Sequence, residues 1–280
     1  MSKIDIKEFS AHSCIFRRLR LVFWSKQENH MKLTGNTIFI TGGGSGIGRG
    51  LAEALHGLGN KVIISGRRKT VLEEVTKANP GMEYVELNIE DPASIEAVAK
   101  KLVAEHPTLN VLINNAGIMK LDGVDGVVDD AVVASTVTTN ILGPIRMTSA
   151  LIEHLKKQPA AYVAYTTSGL AFVPLALTAT YSATKAAMHS FALSQRFLLK
   201  GTSVNVLEIA PPYVQTELMG AQMAVDPRAM PLKDFIAETI AALGTDADEV
   251  LVERVGMLRN NPGPNEHEFV NKFNDMMAGH

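Results

Sequence analysis

The sequence predicts an α/β fold in which a doubly wound parallel sheet carries helices on both faces. Three observations lead there. From residue 31 onward, short β-branched apolar runs alternate with longer segments of helical periodicity, a glycine-rich turn joins the first run to the first helical segment, and 280 residues suit one large α/β unit. Strict alternation of strand and helix demands right-handed crossovers between parallel neighbours, which is the doubly wound arrangement.

Taken in order, strands are expected at 37–41 (TIFIT), 61–65 (KVIIS), 83–87 (EYVEL), 110–114 (NVLIN), 161–166 (AYVAYT) and 203–209 (SVNVLEI). Each is short and largely apolar, as strands covered on both faces must be. Helices are expected between them at 47–58, 69–78, 92–105, 129–157 and 179–200. Past Thr216 the rhythm weakens into a methionine-rich loop at 217–231, a helix at 232–243, a last strand at 249–255 and a polar tail containing Asn260 and Asn265. Neither a repeat nor a linker divides this body, so 31–280 reads as one domain.

Residues 1–30 differ in character. Six basic residues (Lys3, Lys7, Arg17, Arg18, Arg20, Lys26) stand against three acidic ones (Asp5, Glu8, Glu28), whereas the rest of the chain is net acidic. The run IFRRLRLVFW at 15–24 fits a targeting or interfacial amphipathic helix, but its uninterrupted apolar part is too short for a secretory signal, and Asp5 and Glu8 argue against a mitochondrial presequence. The competing reading is a non-native or disordered extension with Met31 as the natural start.

Composition excludes several classes. A net charge of −2, from 27 basic and 29 acidic residues, gives no field able to recruit nucleic acid. The lone Cys14 cannot form an intramolecular disulfide, and no Cys/His cluster has metal-ligand spacing, so no metal is expected. Glu266-His267-Glu268 reads as a charged tail rather than a metal site. No apolar run approaches the roughly 18 residues of a membrane span. The expectation is a cytoplasmic protein without nucleic-acid or membrane partners.

After the first strand comes Thr41-Gly42-Gly43-Gly44-Ser45-Gly46-Ile47-Gly48 and then a helix. Glycines let a backbone approach a pyrophosphate, and the helix N-terminus offers free N–H groups and a positive dipole end to that charge. A structural turn is the alternative. After the second strand stands Gly66-Arg67-Arg68-Lys69, with no acid nearby in sequence; Arg67, helped by Ser45 or Arg68, suits a ribose 2′-phosphate, which favours NADP(H). A solvated basic corner is the alternative there. Asn114-Asn115-Ala116-Gly117 closes the fourth strand, where amides can tie strands together beneath a cofactor.

Tyr181 and Lys185 are four apart on an expected helix and share a face, where an ammonium favours tyrosinate and tunes the phenol for proton exchange. Ser168, thirteen residues earlier at a strand end, can hold a substrate oxygen. His189, one turn on, reads as a packing or solvent-facing residue.

With these residues in this order, from about Lys32 to Thr216, the chain resembles the short-chain dehydrogenase/reductase family of Rossmann fold. The motifs are T-G-x-x-x-G-x-G (Thr41 to Gly48), N-N-A-G (Asn114 to Gly117), Ser168 and Y-x-x-x-K (Tyr181, Lys185). The resemblance implies that Asn140 completes a catalytic tetrad by interrupting its helix to hold a water that links Lys185 to solvent, and that Lys185 also bonds the nicotinamide ribose. It further implies cofactor contacts from Gly42, Gly44, Ser45, Gly46, Ile47, Gly48, Arg67, Asn115, Ala116, Gly117, Tyr181 and Lys185. Where the family reads P-G-x-V-x-T, this chain has Pro211-Pro212-Tyr213-Val214-Gln215-Thr216, from which Pro211, Val214 and Thr216 are expected at the nicotinamide and phosphates. Asn88 stands where the family commonly has an aspartate, and with Ile89 it is expected at the adenine. The Pro-Pro-Tyr run is similar to a branch of DltE-like oxidoreductases, a similarity that carries no substrate with it.

Leu170, Phe172, Leu175, Tyr213, Leu218, Met219 and Met223 flank the reacting groups and read either as an apolar substrate pocket under a lid at 217–231 or as ordinary core. The expected function is an NADP(H)-dependent oxidoreductase acting on a small-molecule carbonyl or secondary alcohol. The alternative is a non-catalytic NADP(H)-binding regulatory or assembly protein, which would be expected to lose Ser168, Tyr181 or Lys185. The resemblance also implies a homodimer or homotetramer built on the 129–157 and 179–200 helices.

Overall fold

A computed structural model describes residues 31–278; the expectations for 1–30 lie outside the described residues. Seven strands, β1 (Thr37–Thr41), β2 (Lys61–Gly66), β3 (Glu83–Glu86), β4 (Leu109–Asn114), β5 (Ala161–Thr166), β6 (Val204–Ala210) and β7 (Glu249–Leu251), pair in parallel in the order β3-β2-β1-β4-β5-β6-β7. The chain leaves β1 in one direction and returns to its other side at β4. That reversal opens a crevice at the carboxyl ends of β1 and β4, the place where such sheets bind ligands.

The helices are α1 (Gly46–Gly57), α2 (Lys69–Ala78), α3 (Pro92–Glu105), α4 (Asp130–Val137), α5 (Gly143–Leu155), α6 (Ala179–Leu198), α7 (Ala221–Ala224), α8 (Leu232–Leu243), α9 (Gly256–Arg259) and α10 (Glu266–Ala278). Alternation along the strands divides the core into two layers. Ile38 and Ile40 of β1 join Leu51 and Leu55 of α1, Leu72 of α2 and Phe235 of α8. Phe39 points the other way, into Ile95 and Leu102 of α3, Met147 and Leu151 of α5 and Met188 of α6. Helix starts are set locally: Asp91 accepts from Ala93 N at 2.9 Å with Pro92 at the first helical position, and Asp129 accepts from Ala131 N at 2.9 Å.

Three expectations are corrected. The periodic segment 129–157 forms two helices, α4 and α5, separated by a π turn at Thr138–Leu142 that falls where the resemblance had Asn140 interrupt its helix. Gly143 follows it because a Cβ there would sit 2.7 Å from the Ile89 side chain, so this close approach to the loop after β3 admits only glycine. The last strand stops at Leu251 and gives way to a 3₁₀ turn at Glu253–Val255. The polar tail is helical: Glu266 and Glu268 occupy the first turn of α10, where acids complement the helix dipole, and Phe269, Val270, Phe273 and Met277 form one partly buried face.

Candidate active site

The crevice is floored where β1 meets β4. The Thr41 hydroxyl accepts from Asn115 N at 3.0 Å and Ala116 N at 3.1 Å, while Asn115 Nδ2 donates to the carbonyls of Thr41 and Gly42 at 3.2 and 3.3 Å. The amides of the Asn-Asn-Ala-Gly run thus tie the strands together; Asn114 Nδ2 reaches Thr148 Oγ1 at 2.9 Å.

The glycine turn packs tightly on this floor. Gly42 has φ +69°, and a Cβ there would lie 2.9 Å from Ala116 Cα; one on Gly48 would lie 2.3 Å from the Gly42 carbonyl oxygen. Ser45 precedes α1 without a side-chain cap, which leaves the first N–H groups of the helix available to an anion. A cleft of about 880 Å³ runs over this turn, and Gly42, Gly44, Ser45, Gly46, Ile47 and Gly48 line it.

From the turn the cleft continues to Arg67 and Arg68 on one side and to Ser168, Tyr181 and Lys185 on the other, with Ile89, Asn115, Ala116, Gly117, Pro211, Val214 and Thr216 along it. Thr216 folds back over the turn, 3.5 Å from where a Cβ on Gly46 would stand. Arg67 is largely exposed, with Nη1 3.4 Å from Glu90 Oε1, and Glu90 lines the cleft too. An acid that sequence distance hid is therefore at hand, brought in by the loop after β3. Asn88 lies outside the lining; its Oδ1 accepts from Glu90 N at 3.2 Å, closing a local turn.

Tyr181 and Lys185 lie on α6, both buried, with Lys185 Nζ 5.4 Å from the centre of the Tyr181 ring. Lys185 Nζ donates to Thr166 O at 2.7 Å. Ser168, at the end of β5, accepts from Leu170 N at 3.0 Å and hydrogen bonds Tyr181. Asn140 sits in the π turn, accepting from Ile118 N at 2.9 Å and donating to Ile118 O at 2.9 Å and Thr184 Oγ1 at 3.1 Å. It lies outside the cleft lining, but Gly117 joins it to Lys185: a Cβ on Gly117 would be 3.3 Å from Asn140 Oδ1 and 3.6 Å from Lys185 Nζ. A π turn is a frequent way to aim one side chain at a functional site.

Proximity to the ammonium does not lower the phenol in this geometry, contrary to the sequence expectation. Burial pushes Tyr181 up to about 12, with the Ser168 hydrogen bond pulling the other way, and burial brings Lys185 down to about 8. Burial of the phenol dominates its shift, and the Lys185 ammonium, 5.4 Å from the ring centre, does not offset it.

Of the expected substrate residues, Leu170, Leu175, Tyr213, Leu218, Met219 and Met223 line the cleft. Phe172 does not; it packs with Val255 and Leu258, its ring 4.9 Å from the Arg259 guanidinium and edge-on to His189 at 5.1 Å. The loop at 217–231 is stapled at its base, with Met230 N donating to Tyr213 O at 2.8 Å and Gln215 N to Met230 O at 2.9 Å. Tyr213 OH donates to Asp226 Oδ2 at 3.0 Å, and the Arg228 guanidinium on Asp226 holds that carboxyl well below the usual range. Phe273 and Met277 of α10 also line the cleft and escaped the sequence reading.

His189 is neither idle packing nor solvent-facing: its Nδ1 lies 2.7 Å from the wholly buried Glu208. His189, Glu208 and Glu249 bring ligand-type atoms within 4.8 Å of one another, but Arg259 already forms two bonds to Glu249, at 2.7 and 3.0 Å, and supplies the positive charge there.

The sequence profile described as short chain dehydrogenase matches residues 36–226. An oxidoreductase of Bacillus subtilis (strain 168) called DltE, itself uncharacterized, is 39% identical over 234 residues, covering 82% of this chain and 93% of its own. Among solved structures, a short chain dehydrogenase from Burkholderia cenocepacia J2315 in complex with NADP is 26% identical with TM-score 0.76, covering 86% of this chain and 98% of that one. A 3-ketoacyl-(acyl-carrier-protein) reductase from Brucella melitensis complexed with NADH is 25% identical with TM-score 0.69, covering 76% and 92%. The switch-point crevice, the glycine turn and the Ser168, Tyr181 and Lys185 cluster fall within the matched span, and on that match the chain belongs to the short chain dehydrogenase family.

Proposed function

We propose that the protein is an NADP(H)-dependent oxidoreductase that interconverts a carbonyl compound and its secondary alcohol, with Tyr181 as proton donor and acceptor. The observation that carries this reading is one continuous cleft in which the glycine turn at one end leads to Ser168, Tyr181 and Lys185 at the other. The turn fits a dinucleotide because side chains at Gly42 or Gly48 would fill the space the backbone needs, and the uncapped start of α1 suits a pyrophosphate. Relatives of the fold with NADP and with NADH bound support a nicotinamide cofactor. Arg67 and Arg68 favour the phosphorylated form, since a guanidinium forks onto a phosphate. Ile89 stands at the adenine end, and Asn115, Ala116, Gly117, Pro211, Val214 and Thr216 follow the cofactor toward the nicotinamide.

When bound, the cofactor supplies or accepts hydride at the substrate carbon. The chain's own residues handle the oxygen. Ser168 holds the carbonyl oxygen beside the Tyr181 hydroxyl, which gives up its proton as the oxygen gains charge and takes it back in the reverse direction. A phenol raised to about 12 carries its proton at neutral pH, and donation relies on the charge that the substrate oxygen gains as hydride arrives. Lys185, close beneath the phenol and near neutrality itself, replaces that proton, and Asn140 links it toward Ile118.

Exposed Leu193, Phe197 and Leu198 along α6 support assembly through this helix as a homodimer or homotetramer, which sedimentation would test. Among the described residues no helix is long and apolar enough to cross a membrane. The reading is tested by titrating NADPH and NADH into wild type and Arg67→Ala, then assaying carbonyl reduction with Tyr181→Phe as control. NADPH binding lost in Arg67→Ala and turnover lost in Tyr181→Phe are expected; binding of neither cofactor overturns the reading, and preference for NADH overturns the role of Arg67.

A further inference from the structure

We propose that α10 is the substrate-selecting wall of the cleft, and that the substrate carries an uncharged apolar tail which packs against Phe273 and Met277. This rests on the oxidoreductase reading above and adds the part of the substrate remote from the reacting carbon.

Phe273 and Met277 are four apart, so they stack on one face of α10, and both line the cleft that contains Ser168 and Tyr181. Between them in sequence, Asn274 fastens the helix: its Nδ2 donates to Pro174 O at 3.0 Å and its Oδ1 accepts from Ala176 N at 2.6 Å. The segment so gripped leads directly into α6 and Tyr181. Phe269, Val270 and Phe273 rest on the cluster of Phe172, Val173, Val255 and Leu258, yet no residue of α10 is fully buried. The helix is thus a cover over the cleft rather than a part of the core. Met219 and Met223, from the segment after β6, line the same cleft with flexible, polarizable side chains.

Charge narrows the tail. Arg67, Arg68 and Glu90 stand at the β2 and β3 end, Lys185 is engaged with Thr166, and Lys120 and Glu217 are exposed. A carboxylate or phosphate brought between Phe273, Met277 and the methionines would lose water, and Lys120, an unengaged cation of the cleft, is solvated and repays little of that loss. An alkyl or aryl tail would lose nothing and bury apolar area.

The test is NADPH-dependent reduction of 2-butanone and 2-decanone by wild type, Phe273→Ser and Phe273→Leu. Wild type is expected to prefer 2-decanone. Phe273→Ser should lower kcat/KM for 2-decanone about tenfold, chiefly through KM, while 2-butanone stays within about twofold and NADPH affinity is unchanged; Phe273→Leu should keep the 2-decanone preference. An equal loss on both ketones, or an unchanged ratio, overturns the wall and leaves the oxidoreductase reading intact. If wild type reduces neither ketone, that reading fails separately, and calorimetric binding of octanamide to the NADPH-loaded protein decides the wall: about tenfold weaker binding to Phe273→Ser supports it, and equal or absent binding overturns it.

Discussion

The Thr167 hydroxyl donates to Glu208 Oε1 at 2.6 Å, one residue before Ser168. The other oxygen of that carboxylate meets His189, one turn beyond Lys185 on α6. Together with the Lys185 bond to Thr166 O, this fixes two successive residues of the β5 end to the helix that carries Tyr181. A carboxylate as buried as Glu208 is tolerated only because both oxygens are engaged. Removing it in Glu208→Ala leaves Thr167 and His189 without their partner and should cost about 3 kcal/mol in urea denaturation, with kcat falling alongside. Glu208→Gln keeps the Thr167 bond and should cost about half as much. A Glu208→Ala protein as stable as wild type would show that the brace contributes nothing.

The contact between Gly48 and Gly42 predicts a sharper separation of stability and binding. A methyl on Gly48 would meet both Asn115 Nδ2 and the Gly42 carbonyl oxygen at 2.3 Å, and neither can withdraw without opening the β1–β4 tie. Gly48→Ala should therefore destabilise the protein by about 2 kcal/mol and abolish detectable NADPH binding. Gly57→Ala, at a position with open space around it, should leave both unchanged and serves as the control. Retained affinity in Gly48→Ala would mean that the turn does not cradle the cofactor.

What could be read from the sequence followed the range of the interactions involved. The Tyr181 and Lys185 pair is a local helical spacing, and the glycine turn is a local backbone demand, so both were visible. The break at Asn140 was legible only through the family resemblance, because the apolar periodicity of 129–157 runs through it and its bonds to Ile118 and Thr184 come from elsewhere in the chain. Glu208 drew no reading within an otherwise apolar strand, because its role comes from His189 and Thr167, which lie about twenty and forty residues away. The face of α10 was hidden because its partners at Pro174 and Ala176 lie about a hundred residues away. The shift of Tyr181 was misjudged because burial, which sequence does not display, outweighs the neighbouring charge.

On the proposed NADP(H) reading, Arg67 and Glu90 should bias cofactor choice in opposite directions. The two side chains are 3.4 Å apart and Arg67 is mostly solvated, so their bond is weak and Arg67 can be recruited by a phosphate. Arg67→Ala should weaken NADPH about tenfold or more while altering NADH by less than about twofold. Glu90→Gln removes the competing carboxylate and should tighten NADPH by about twofold to fivefold. Equal changes for the two cofactors, measured by nicotinamide fluorescence, would remove Arg67 from the 2′-phosphate.

Lys185 gives the protein a pH-dependent stability with a definite sign. Burial lowers its pKa from 10.5 to about 8, so between those values the unfolded chain holds a proton that the folded chain has released. Stability should then rise with pH across that interval, and the cost of keeping the ammonium buried is fully present below about 8. Tyr181 acts oppositely but later: its pKa is raised from 10.0 to about 12, so stability is lost only as the unfolded phenol ionises above 10.0. At pH ~7 the lysine shift corresponds to about 3 kcal/mol, and Lys185→Met recovers part of it after forfeiting the bond to Thr166, for a net gain of about 1–2 kcal/mol in the cofactor-free protein. At pH ~10 the gain should vanish, because the wild-type lysine is already neutral when folded. The same variant should lack carbonyl reduction if, as proposed, the group whose burial is costly is the one that resupplies the proton to Tyr181. Denaturant melts of both proteins at the two pH values decide the matter: a Lys185→Met variant that is less stable than wild type by the same amount at each would show that the ammonium is not strained in the folded site.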